Sequence, residues 1–235
     1  MSDTIRKQII AALATKLEVI TTDNGFNTSI GSNVEKVLGS IDPGDVPACV
    51  IWPGDEQADQ DFGYVVATMP IKIEGITTLG SNNASDMVEK ILGDLIEAVS
   101  GHAWTVPYTS GGTTEIEAGD TITGATSGAT GYVMSVSLST GTWAGGDAAG
   151  NLTIRRKSGD FEAENLLVSA VNCATTTGSL TYISAIESTT NSLAEGIEYS
   201  AGGAGEYPES KDIVVGGYAT FNFKYRYLVG NPYSQ

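Results

Sequence analysis

The chain has 235 residues, with 28 acidic against 12 basic side chains, a formal net charge of −16 and a single histidine, and it is long enough to bury a core without covalent staples. That balance argues against a surface that neutralises nucleic-acid phosphates, and one histidine excludes multi-histidine metal sites. Cys49 and Cys173 have no CxxC spacing and are too few for a disulfide framework, so buried free thiols are the expectation.

From Thr4 to about Ile20, the residues Ile5, Ile9, Leu13, Leu17 and Ile20 fall on one stripe, predicting an amphipathic helix capped by Ser2 or Asp3. The stripe is periodic, not a continuous apolar run, and no small-residue cleavage site follows, so no signal peptide is expected and assembly in the cytoplasm is. No segment has an uninterrupted apolar run long enough for a membrane span. Asp23-Asn24-Gly25 breaks the helix, Asp42-Pro43-Gly44 marks a turn, and Val34, Val37 and Leu38 between them suit a short strand or a hairpin.

The compact apolar run Val46–Trp52, closed by Pro53-Gly54, reads as a buried strand. An acidic loop with Asp55, Glu56, Asp59 and Asp61 follows. From Phe62 to Ile76 the text is strand again, with Met69, Ile71 and Ile73 inward against Pro70, Lys72 and Glu74 outward, so a long hairpin joins the two strands. Residues 81–86 offer several N-caps, and Val88, Leu92, Leu95 and Val99, widened by Met87, Ile91 and Ile96, make a second helix stopped at Ser100-Gly101.

From Pro107 to Leu180 the composition changes to Gly, Ser, Thr and Ala with short alternating apolar runs and no helical period. That segment predicts a small all-β domain, a sandwich or a barrel, over 107–180, inserted into a discontinuous host over 1–106 and 181–235. A faint repeat aligns Glu117–Thr130 with Glu162–Thr175 as two strand–turn–strand units. After the insert, residues 182–186 read as strand. In the last strand Phe221, Phe223, Tyr225 and Tyr227 alternate with Asn222, Lys224 and Arg226, an aromatic face better suited to packing under helices than to a subunit interface. The host is therefore α+β, a mostly antiparallel sheet with two helices on one face.

Chemistry-bearing patterns are sparse. His102 stands alone just past a helix end. The carboxylates Asp55, Glu56, Asp59 and Asp61 lack the register of a calcium loop and read as a solvated loop. Gly124–Gly131 and Gly145-Gly146-Asp147 look like phosphate loops but have no Gly-Lys-Ser/Thr ending and no following helix, so they read as turns. Arg155, Arg156 and Lys157 read as a solvated basic turn. Tyr132 and Trp143 are candidates for surface contacts on the insert, including a sugar-stacking platform, although core anchors of a small β domain use the same residue types. Neither an enzymatic activity nor a cofactor or metal is expected.

The segments IRKQIIAALATKL, VPACVIWPGDE, ATMPIKIEGIT, ASDMVEKILGDLIEAV and ATFNFKYRYLVGNP occur in an order that resembles the tail terminator, or tail completion, proteins of long-tailed bacteriophages. The likeness covers Met1 to about Trp104 and Tyr182 to Gln235. The insert's GDTITGATSGATGYV, LSTGTWAGGDAAGNLTI and SGDFEAENL resemble small β decorations of phage structural proteins, and this large insertion departs from the compact members of the family. The resemblance implies a homo-oligomeric ring, typically a hexamer, at the head-proximal end of the virion tail. Such a ring caps the tube protein, stops polymerisation, receives neck or head-completion proteins, and lets DNA pass its lumen without specific binding. The loop of Asp55, Glu56, Asp59 and Asp61 is then a candidate inter-subunit or lumenal element. Two further readings stay open: another head–tail neck connector, or a receptor- or glycan-binding virion protein acting through the insert.

Overall fold

The computed structural model describes residues 3–36, 45–80, 83–205 and 214–235. The chain divides into two compact units, one of Met1–Thr22, Phe26–Gly101 and Ala185–Gln235, the other of Asp23–Gly25 and His102–Ser184. The predicted Ser2 cap, Val37, Leu38, the Asp42-Pro43-Gly44 turn and the Ser81 and Asn82 caps lie outside the described residues.

The first unit is α+β. Helix α1 (Ile5–Leu17) buries Ile5, Ile9, Leu13 and Leu17, with Ile20 buried just beyond, so the predicted stripe is the packed one. Its cap is Thr4 and not Asp3: the Thr4 hydroxyl accepts from the Lys7 N–H at 3.2 Å, while the Asp3 carboxylate is paired with Lys7 Nζ at 2.7 Å. Val34 opens a short strand β1 (Val34–Lys36), parallel to β2 (Ala48–Pro53). β2, then β3 (Gln57–Asp61), lie antiparallel along the same side of β4 (Tyr64–Thr78), which makes the predicted hairpin. Helix α2 (Ala84–Ser100) starts at Asn83, whose side chain accepts from the Ser85 N–H, and stops at Gly101. Its buried line runs through Met87, Ile91, Leu95 and Ala98, with Val88 and Leu92 at its margin, so the stripe is rotated from the predicted centre.

Residues 185–186, expected as strand, begin a six-residue helix α3 (Ala185–Thr190), because a lone Ala-Ile pair carries no period to distinguish the two states. The third helix joins α1 and α2 in one core, where the two expected helices were incomplete. Strand β12 (Ala194–Ala204) pairs with β13 (Val214–Leu228), and the sheet order is β1-β2-β4-β13-β12, with β3 also on β4. Phe221, Phe223 and Tyr225 are fully buried beneath the helices, on the same face as Met69, Ile71 and Ile73. Gly75 and Gly217 lie opposite each other in this sheet; a Cβ on Gly75 would fall 2.7 Å from Ile91 Cγ2, so the bare backbone is what lets α2 approach.

The second unit is a closed barrel. Strands β5 (Ala103–Gly111), β8 (Ala148–Ser158), β7 (Thr130–Thr140), β6 (Thr121–Gly124), β9 (Glu164–Val168) and β10 (Val171–Thr176) follow in that order around the wall, and β10 returns to β5. Closure removes sheet edges, and Val106, Ile122, Val133, Leu152, Ile154 and Leu166 fill the interior. A short β11 (Thr181–Ile183) pairs with the beginning of β5, Ala103 opposite Ile183, so the chain leaves the module beside where it came in. The module thus starts before Pro107 and ends after Leu180: Trp104 and Tyr182, expected in the host, are barrel residues. Of the two repeat units, Glu162–Thr175 is a strand–turn–strand hairpin of β9 and β10, whereas Glu117–Thr130 spans β6 and stops at the first residue of β7, so the expected pair of like units is not formed; β6 and β9 are neighbours in the wall.

Among the described residues, no helix is long and apolar enough to cross a membrane.

Candidate functional site

The carboxylate group between β2 and β4 is not a loop. Residues 57–61 form β3, every residue of which is exposed, because the register Gln57↔Thr68 to Asp61↔Tyr64 extends the hairpin to its tip. Asp55, Asp59 and Asp61 point to solvent. Glu56 does not join them: its carboxylate accepts from the Tyr225 hydroxyl and, at 3.1 Å, from the Tyr227 hydroxyl, with Arg6 Nη1 3.8 Å away. Burial, reinforced by the adjacent Glu56, pushes the Tyr225 phenol well above its usual range, so it stays a donor. Glu56 therefore clamps the sheet to α1, and only the three aspartates remain available as a charged surface.

The hairpin turns at Phe62-Gly63, where Phe62 has φ 36° and is 102% exposed. The Val229 N–H donates to the Gly63 carbonyl at 3.0 Å, bringing exposed Val229 beside the tip, with half-exposed Tyr64 next along β4. Asp61-Phe62-Gly63 carries the signal in sequence, a turn glycine after an aromatic, and Phe62 is the tip of the turn and not the first residue of the strand, which starts at Tyr64.

Among the described strands the sheet ends in two dissimilar edges. On one side β12 pairs with β13 alone among the described strands, and residues 198–202 are exposed. On the other side lie β1 and the acidic β3.

The barrel candidates fare differently. Trp143 is buried, stacked on Tyr108 with centroids 5.2 Å apart, which overturns its reading as a surface contact. Tyr132 has the Arg155 guanidinium 4.9 Å from its ring and its hydroxyl 3.4 Å from the Asp23 carbonyl, within the same unit, so it packs the Asp23–Gly25 segment. The basic run is no solvated turn either: it lies in β8, and Arg155 is buried, donating to the Asn24 carbonyl.

The Gly124–Gly131 turn has the backbone donors of an anion site, but the anion is the protein's own. Glu164 accepts from the N–H groups of Thr126 (2.6 Å), Ser127 (2.8 Å) and Glu162 (3.0 Å) and from the Ser127 hydroxyl. Burial pushes its carboxyl up, and these donated hydrogen bonds outweigh that, holding it down at about 2. The second Gly-rich string is a turn closed by Asp147, which accepts from the Thr142 N–H at 2.9 Å.

Sequence reasoning also passed over Asp94, a fully buried carboxylate inside the α2 stripe that binds Asn27 and Thr28. Both cysteines are free and buried, and burial raises both thiols, so neither is a nucleophile at neutral pH. Among the described residues no cluster of His, Cys, Asp or Glu is arranged to hold a metal. No family model matches the chain, and no curated protein matches it.

Proposed function

We propose that the α+β unit is a ring-forming assembly subunit of the tail-terminator type. The observation that supports this most is the pair of unlike edges on one sheet. Two copies of β3 set edge to edge would bring Asp59 and Asp61 against their own kind, so two-fold pairing through that edge is opposed by charge. An edge of one kind meeting an edge of the other kind is a head-to-tail contact, which closes into a ring when the rotation permits. The exposed Phe62 at the hairpin tip gives such a contact an apolar anchor, and the acidic surface keeps DNA from adhering to a wall it passes.

On this reading the ring caps the tail tube, ends its growth and offers its other face to neck proteins, while the barrel is a decoration. Electron microscopy of the purified protein is expected to show closed rings, and particles lacking the chain are expected to carry tails of uncontrolled length. A two-fold dimer, or tails of normal length without the chain, refutes the proposal.

A further inference from the structure

The barrel carries an open groove of about 360 Å³ lined by Trp104, Lys157, Asp160, Phe161, Gly178, Leu180 and Tyr182, within the size range of small-ligand sites. One wall is aromatic. Tyr182 is 51% exposed on β11 and stands edge-on to Trp104 of β5, centroids 5.9 Å apart, because Tyr182 and Trp104 are register partners. The Tyr182 hydroxyl shares a 2.6 Å hydrogen bond with His102 Nδ1, which fixes the ring, and the His102 ring stands tilted beside it with centroids 5.3 Å apart. The other wall is polar. Lys157 Nζ, sequestered 5.6 Å from the Trp104 ring centroid, donates to the Gly159 carbonyl at 2.5 Å and to Asp160 Oδ1 at 2.7 Å. The Asp160 side chain is 97% exposed.

The geometry points to a binding site for a neutral oligosaccharide. A half-exposed aromatic ring fixed by a hydrogen bond suits the C–H face of a pyranose, and the exposed Asp160 carboxylate, held in place by Lys157, sets an acceptor for sugar hydroxyls in the same groove. The pair is charge-balanced and the whole chain is strongly acidic, so neither an anionic glycan nor a nucleic acid is favoured. The two rings meet at an edge and not as parallel plates, a corner that does not sandwich a planar base. This assigns the insert an adhesive role on Trp104 and Tyr182, not on the Tyr132 and Trp143 pair suggested by sequence, and it is independent of ring formation.

The test is titration of the full chain with a panel of neutral hexasaccharides of glucose, galactose, mannose and N-acetylglucosamine, read by tryptophan fluorescence and by ligand-observed NMR. At least one is expected to bind, with affinity falling about tenfold in Tyr182→Ala, and comparably in Asp160→Ala, while Tyr199→Ala on the other unit binds as wild type. Far-UV circular dichroism of each variant checks that the barrel is intact. Failure of the whole panel, equal binding by Tyr182→Ala, preference for sialylated or uronic-acid glycans, or binding of a proline-rich peptide in place of any sugar would each overturn the assignment. Rings seen without sugar binding sink this inference and leave the assembly reading standing, and the converse holds.

Discussion

Replacing Asp94 by alanine is expected to destabilise the α+β unit by about 3 kcal/mol, because the carboxylate is the sole anchor given to two buried donors. Asp94 is 0% exposed and accepts from the N–H (3.0 Å) and Nδ2 (2.8 Å) of Asn27 and from the N–H (2.8 Å) and hydroxyl (2.7 Å) of Thr28. Asn27 is exposed and its donors can turn to water. Thr28 is buried, so two donors lose their partner at about 1–3 kcal/mol each, roughly 4 kcal/mol together. Removing a buried charge returns part of its own desolvation cost, which trims the net to about 3 kcal/mol. For a unit of this size that is a fall in Tm of about 6–12 °C. Urea unfolding followed at 222 nm is a suitable assay, since α1, α2 and α3 all belong to this unit and the barrel has no helix among its named elements. Thr28→Val closes a double-mutant cycle in which a coupling of about 1 kcal/mol or more with Asp94→Ala is expected. A loss below about 0.5 kcal/mol for Asp94→Ala, or no coupling, would refute the reasoning that these bonds hold the 26–30 segment on α2.

Glu164 should make the barrel acid-sensitive. Its carboxyl is held at about 2 in the fold against an ordinary value of 4.5, so its stabilisation is complete above about pH 4.5 and drains away as the pH falls toward 2. Thermal melts from pH 6 to pH 2 should show a shallower decline in Glu164→Gln than in wild type, and parallel curves would exclude the clamp. Trp143→Ala, which removes a buried ring stacked on Tyr108, should cost the barrel about 3–5 kcal/mol, whereas a surface residue would cost little. Phe62→Asp at the exposed hairpin tip should leave Tm within about 1 °C and weaken self-association, as seen in sedimentation; rings as stable as wild type would remove Phe62 from the interface.

The elements with a long, clean period were legible in the residues alone. Ile5, Ile9, Leu13 and Leu17 fixed α1, and alternation along residues 69–74 and 221–227 fixed the two central strands and their buried faces, because one-sided burial is written as period 3.6 or 2. The change of composition also located an all-β module. Its edges were less clear, since Trp104 and Tyr182 fall in host text until the Ala103–Ile183 pairing shows them on one wall. Other assignments depended on partners distant in sequence. Glu56 and Asp59 are alike as letters, and only the phenols of Tyr225 and Tyr227 separate a clamp from a surface charge. A Gly-rich turn can hold an external anion or an internal one, and Glu164, far along the chain, decides it. Periodicity is local and survives in the sequence; hydrogen-bond partnership and barrel closure are long-range, so they were settled only when the chain folded.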